Sequence, residues 1–126
     1  MSFTTVAHCG TDHAAWLKSI AFYEDEIEIL KQRLLEVAGK NTRLEVMTQV
    51  EHFQNQFIIQ RNNMDGLKHR IRGHDLLVSQ DARQHSGKMD TANAAVHNSV
   101  KEDFNRTEEI INELRKEFNQ FLSKTL

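Results

Sequence analysis

The sequence predicts an all-α protein: an antiparallel up-down-up bundle of three long helices over residues 11–38, 42–84 and 90–123. Apolar residues recur at alternating steps of four and three, which places them on one face of each helix. Proline, which breaks helices, is absent, and short connections make consecutive helices antiparallel neighbours. Residues 1–10 lack this spacing and are expected to form an N-terminal tail of a single domain, 1–126.

The first helix carries the most regular apolar stripe. Thr11 or Asp12 can cap its N-terminus, and Gly39 can end it because glycine readily adopts a positive φ. Phe22 and Ile29 widen the stripe on one flank, as expected for a helix that touches two neighbours. The stripe consists of Trp16, Ile20, Tyr23, Ile27, Leu30, Leu34 and Val37.

The second helix begins at a capping box formed by Thr42 and Glu45 and is predicted to be the longest. Gly66 and Gly73 lie inside it, and each costs about 1 kcal/mol relative to alanine. A break near Gly73 would give four helices, so three and four are both open at this point. The stripe consists of Val46, Val50, Phe53, Phe57, Gln60, Met64, Leu67, Ile71, His74, Val78 and Asp81.

The third helix starts with Asp90 or Thr91 as its N-cap and keeps the same spacing. Its stripe consists of His97, Val100, Phe104, Thr107, Ile111, Leu114, Phe118 and Phe121. The stripes of the second and third helices thus include polar residues. The sequence therefore predicts a bundle whose interior is apolar over much of its length and polar toward one end.

The composition excludes several classes of protein. Apolar residues make up 39% of the chain, too many for a disordered protein, and no apolar run approaches the ~20 residues of a membrane span. The net charge of −2 provides no basic surface for nucleic acid. The N-terminus shows no secretory signal and the single Cys9 cannot form an internal disulfide, so we expect a cytoplasmic protein.

Turns near residues 40 and 86 set the predicted register between the helices. His13 then lies level with Lys68 and His69, and His74 lies within one turn of His97. The same register explains the charges as ion pairs between basic residues of helix 2 and acidic residues of helix 3. Glu24, Asp25, Glu26 and Glu28 are expected to form a solvated face, and Gln60 is expected to hydrogen-bond with Tyr23.

The histidines are the one indication of chemistry. His13, His74 and His97, one from each helix, are predicted to gather at one end, where imidazole nitrogens can bind Zn or Fe. Asp81 or Asp103 would complete the site. The Glu-x-x-His spacing of di-iron bundles is absent, so each helix has to contribute a separate ligand.

The leading interpretation is a binding or assembly module without catalytic activity or a cofactor, and the alternative is the metal-binding bundle. The N-terminal end of helix 1 is expected to lie level with residue 69 of helix 2. The helical hairpin over 72–100 then has no third helix beside it. Burial of the apolar side chains there would require another protein surface, which favours a homodimer through this end or a helical protein partner. These side chains are Leu76, Leu77 and Val78. No nucleophile constellation supports an enzyme.

Overall fold

The computed structural model describes the backbone of residues 6–84 and 91–125, and the side chains of residues 9–77 and 92–125. This part of the chain forms three helices and no strand, which confirms the all-α class: α1 (Val6–Lys40), α2 (Leu44–Gln84) and α3 (Thr91–Thr125). Every pair of helices is in contact. Within these residues, no helix carries an apolar stretch long enough to cross a membrane.

Helix α1 begins earlier than predicted. Its first residue is Val6, so the expected tail over residues 1–10 is wrong for residues 6–10. The side chain of Cys9 is fully buried and that of His13 is 1% exposed, one turn apart on the same face. Burial of Cys9 stabilises this extra turn, although its sequence lacks the clear apolar period of the following turns.

The end of α1 and the start of α2 also differ from the prediction. Gly39 lies inside α1 without a positive φ, and the Asn41 side chain caps the helix by donating to the Val37 carbonyl at 2.9 Å. Helix α2 begins at Leu44, and the Arg43 carbonyl accepts its first hydrogen bond at 3.0 Å. The capping position therefore falls on Arg43 rather than on Thr42.

Helix α2 continues through Gly73 without a break, so the four-helix alternative is not found in the described residues. The residues on either side explain this continuity. Ile71 is completely buried and His74 is 2% exposed, and packing on both sides of the glycine outweighs its cost of about 1 kcal/mol.

Within the described residues, the core follows the predicted stripes closely, and clear differences lie at the flank of α1 and at the end of α3. Phe22 and Ile29 are 60% and 57% exposed, so the predicted widening of the α1 stripe is wrong. At the end of α3, Leu122 is buried and Phe121 only partly so. Phe53 packs on Phe118 with their ring centroids 5.2 Å apart, and these aromatic rings fill the end of the bundle opposite to the histidines.

The register between α1 and α2 differs from the prediction by roughly two helical turns. Going along α1, His13 contacts Asp75, Glu24 contacts Lys68 and Glu28 contacts Arg61. His13 therefore does not lie level with residues 68 and 69. Because α1 starts earlier and reaches farther along α2, the N-terminal end of α1 does not lie level with residue 69, and that prediction is also wrong.

This displacement changes the polar contacts between the helices. Tyr23 donates to Glu108 at 2.7 Å, while Gln60 accepts a hydrogen bond from Asn63, so the predicted Tyr23–Gln60 pair is wrong. Arg115 of α3 binds Glu26 with its Nε 2.7 Å from the carboxylate. Glu24, Glu26 and Glu28 thus form ion pairs across helices. Asp25 and Glu28 are exposed, as the predicted solvated face requires, whereas Glu24 and Glu26 are half-buried.

Two contacts between α2 and α3 join residues that the predicted register places near each other. Arg70 lies 2.5 Å from Asp103, which bears out one of the ion pairs expected between these helices. Nearer the connection, the rings of His74 and His97 lie with their centroids 5.6 Å apart. The described structure therefore brings together the two histidines that the sequence placed within one turn of each other.

Candidate metal centre

Three histidines meet inside the bundle, and we call this group the histidine centre: His13 of α1, His74 of α2 and His97 of α3. Each occupies an inward position because it continues the apolar spacing of its own helix. Trp16 follows His13 by three residues, and Ile71 precedes His74 by three. The side chains are only 1%, 2% and 2% exposed, so three polar rings are enclosed at one level.

The geometry of the centre is compact. Each histidine offers one nitrogen, and the three nitrogens all lie within 4.8 Å of one another. Nδ1 of His97 is 3.3 Å from Nε2 of His13. The ring centroid of His13 lies 5.0 Å from that of His74. Within the described residues, the structure thus brings together the three histidines that the sequence predicted to gather.

His74 is the most unusual of the three in its surroundings. Neither of its ring nitrogens has a hydrogen-bond partner, although both are buried. Burial, followed by the nearby imidazoles of His13 and His97, lowers the pKa of His74 from 6.5 to about 4, against an opposing effect of Asp75. His74 is therefore neutral near pH 7 and keeps a lone pair that can bind a cation.

Two carboxylates contact the other two histidines. Asp12 Oδ2 is 2.8 Å from Nε2 of His97, and Asp75 Oδ1 contacts Nδ1 of His13. Neither carboxylate was predicted as part of the site, since Asp12 has the side chain and position of a helix cap. Asp12 directly precedes His13 and Asp75 directly follows His74, and that adjacency was the available signal.

Of the two carboxylates predicted to complete the site, the structure describes the side-chain position of Asp103 alone. Asp103 contacts Arg70 and Arg106, and it is not part of the converging group. The side chain of Asp81 lies outside the described residues, as does that of Val78. Within the described residues, the converging group therefore consists of the nitrogens of three histidines.

Aromatic and sulfur groups flank the histidine centre. The indole of Trp16 lies over His97 with ring centroids 5.0 Å apart, and it also packs on Phe104 of the apolar core. Cys9 is fully buried, and burial together with the charges of Asp12 and Asp75 raises its pKa to about 11. Trp16 is the single tryptophan of the chain, so its fluorescence reports on this end of the bundle.

No protein-family model, curated protein or solved structure that was compared matches this chain. The function therefore has to be argued from the residues of the bundle and the chemistry of the histidine centre.

Proposed function

We propose that this protein is a small helical bundle that binds one transition-metal ion, Zn²⁺ in preference to Fe²⁺, through His13, His74 and His97. The observation that carries the proposal is the convergence of three buried imidazole nitrogens within 4.8 Å, one from each helix. A bound ion would also pair with the lone-pair nitrogen of His74, one of its two buried ring nitrogens without a hydrogen-bond partner, each of which costs about 1–3 kcal/mol. The metal would then connect all three helices.

The donor set supports zinc over iron. Imidazole suits both metals, but mononuclear Fe²⁺ sites usually add a carboxylate ligand to two histidines. The two carboxylates near this centre are engaged with ring nitrogens of His13 and His97. Zn²⁺ binds nitrogen at about 2.0–2.1 Å in tetrahedral sites, and three imidazoles leave its fourth position to a small ligand such as water.

Burial supports a binding role rather than catalysis. All three imidazoles are at most 2% exposed, whereas a catalytic metal needs an open coordination position that substrate can reach. The proposed protein therefore binds metal in the cytoplasm and carries out no reaction. An ion that joins three helices would stabilise this end of the bundle by binding the folded state alone.

An antiparallel up-down-up course of the helices is part of this proposal. The contacts His13–Asp75 and Glu28–Arg61 support it, because the residue numbers fall along α2 as they rise along α1. The contacts Arg70–Asp103 and Phe53–Phe118 have the same property between α2 and α3. This course puts one histidine of each helix at the same end.

Metal analysis of untagged protein, after removal of metal and dialysis against Zn²⁺, tests the proposal. The wild type is expected to retain one Zn²⁺ per chain. His74→Leu is expected to lose it and to fold at least as stably without metal, because leucine needs no hydrogen-bond partner in the core. Trp16 fluorescence should change on adding Zn²⁺ to the wild type and stay constant in His74→Leu.

The matched control is His69→Ala, which removes an exposed histidine five residues away on the same helix. This variant should bind Zn²⁺ as the wild type does. Wild-type protein that retains no metal, or equal loss of binding in His69→Ala and His74→Leu, would contradict the proposal. Circular dichroism of each metal-free variant separates loss of binding from loss of folding.

A second candidate function is self-association through the 72–100 end. The observation that favours it is the exposure of large apolar side chains there: Leu76 is 61%, Leu77 50% and Val96 43% exposed. A second copy of the chain would bury these residues in a symmetric interface. This assembly is compatible with metal binding, because the histidines face the interior of the bundle.

A further inference from the structure

Two aspartates are arranged crosswise around the histidine centre. Asp12 stands next to His13 on α1 and contacts His97 of α3, while Asp75 stands next to His74 on α2 and contacts His13 of α1. Each carboxylate therefore joins its own helix to a ligand on another helix. The side chains of Asp12 and Asp75 are 24% and 48% exposed, so both carboxylates reach the centre from its solvent side.

These contacts determine which ring nitrogen carries the proton. An ionised carboxylate can only accept hydrogen bonds, so the ring atoms facing Asp75 and Asp12 must donate. Nδ1 of His13 and Nε2 of His97 consequently carry hydrogen. In the neutral rings, the lone pairs are then on Nε2 of His13 and Nδ1 of His97.

These two lone-pair atoms are the ones that face each other at 3.3 Å. In the neutral rings no hydrogen lies between them, and two opposed lone pairs repel unless a cation lies between them. Tetrahedral Zn²⁺ with bonds of about 2.0–2.1 Å places its nitrogen ligands about 3.3–3.4 Å apart. The separation in the structure fits two ligands of one such ion.

We propose that Asp12 and Asp75 are positioning residues of the metal centre, which make His97 bind through Nδ1 and His13 through Nε2. This inference rests on the proposed metal function and adds the donor atoms and the outer-shell partners. A carboxylate behind a ligating histidine fixes the tautomer and ring orientation and increases the basicity of the ligand. The chain thus supplies the ligands and the groups that orient two of them.

The test compares Asp12→Asn and Asp75→Asn with the wild type by competition titration with Zn²⁺. Each variant is expected to bind the ion about 10- to 100-fold more weakly, as for other outer-shell partners, while metal-free unfolding shows that it still folds. Asp65→Asn is the matched control, since Asp65 lies on α2 and pairs with Lys68 at 3.5 Å. Its affinity for Zn²⁺ should equal that of the wild type.

A second measurement reads the donor atoms directly. Long-range ¹H–¹⁵N correlation spectra of ¹⁵N-histidine-labelled protein should show hydrogen on Nδ1 of His13 and on Nε2 of His97. In the zinc form, the metal should be on Nε2 of His13 and on Nδ1 of His97. The Asn variants should lose the single preferred tautomer at the histidine that each aspartate contacts.

The outcomes distinguish this inference from the metal proposal. If wild-type protein binds Zn²⁺ but both Asn variants bind it equally well, or the spectra show the opposite tautomers, the aspartates do not position the ligands. If wild-type protein binds no Zn²⁺, the metal function itself fails. The metal-free spectra still report the tautomers in that case, and opposite tautomers would overturn the assignment independently.

Discussion

At the scale of single residues, the histidines show how burial changes the meaning of a polar side chain. A histidine in a helical stripe can be either a hydrogen-bonded core residue or a metal ligand. The groups that surround its ring determine which of these roles it can have. Asp12 holds His97 and Asp75 holds His13, whereas neither nitrogen of His74 has a partner. The sequence predicted the group of three, but the partners of each ring depended on the register of α1 and α2.

Tyr23 provides a prediction at the same scale. Burial and the hydrogen bond to Glu108 raise the pKa of Tyr23 from 10.0 to about 12. Its contribution to stability is therefore complete below pH 10 and is lost as the pH rises toward 12. Tyr23 is the single tyrosine, so phenolate absorbance measures it directly, and Glu108→Gln should lower the midpoint toward 10.

Circular dichroism at each pH shows whether the helices persist during this titration. A midpoint near 10 in helical wild-type protein, or no change with Glu108→Gln, would contradict the Tyr23–Glu108 contact.

At the scale of elements, periodicity predicted the helices well and their ends poorly. The stripes of α1, α2 and α3 are buried almost as the spacing requires, because period 3.6 places those positions on one face. The ends depend on contacts that spacing does not show. Burial of Cys9 and His13 extends α1 to Val6, and the side chain of Asn41 caps its other end.

The glycines inside α2 lead to an element-scale prediction. A Cβ added at Gly66 or Gly73 meets no atom within 4 Å, and both residues are helical. Gly66→Ala and Gly73→Ala should each raise the free energy of unfolding by about 0.5–1 kcal/mol, because glycine loses more backbone entropy in a helix. Urea denaturation of metal-free protein should show a higher midpoint with an unchanged m-value, and a lower midpoint would contradict the helical continuity of α2.

At the scale of the whole molecule, the register of α1 decides how the polar residues meet. In the structure, His13 lies beside Asp75 and Glu24 beside Lys68, so the contacts of α1 fall farther along α2 than a turn centred near residue 40 implies. This displacement of α1 along α2 accounts for the observed ion pairs between the two helices. It also accounts for the separation of Tyr23 from Gln60 and for the contact of His13 with Asp75. These differences from the predicted contacts have one cause, because a change in the axial register of a rigid helix shifts all of its residues together.

The exposed apolar residues give a whole-molecule prediction. Sedimentation velocity at micromolar concentration should show a dimer, because association through the 72–100 end buries Leu76 and Leu77. The double variant Leu76→Gln and Leu77→Gln should be monomeric. Ile29→Gln is the control, since Ile29 is 57% exposed but belongs to α1. A monomeric wild type, or dissociation by Ile29→Gln, would contradict this interface.

Local sequence accounts for the helical class, for the inward faces of the helices and for the presence of one histidine on each face. These follow from local physics, since a spacing of three and four residues specifies a helix face whatever packs against it. The axial position of α1 along α2 depends on the packing of the complete bundle, and the contacts of Asp12 and Asp75 with the histidines depend on that position. That axial position is set by the packing of many side chains between the helices, and no single segment of the chain contains all of these side chains.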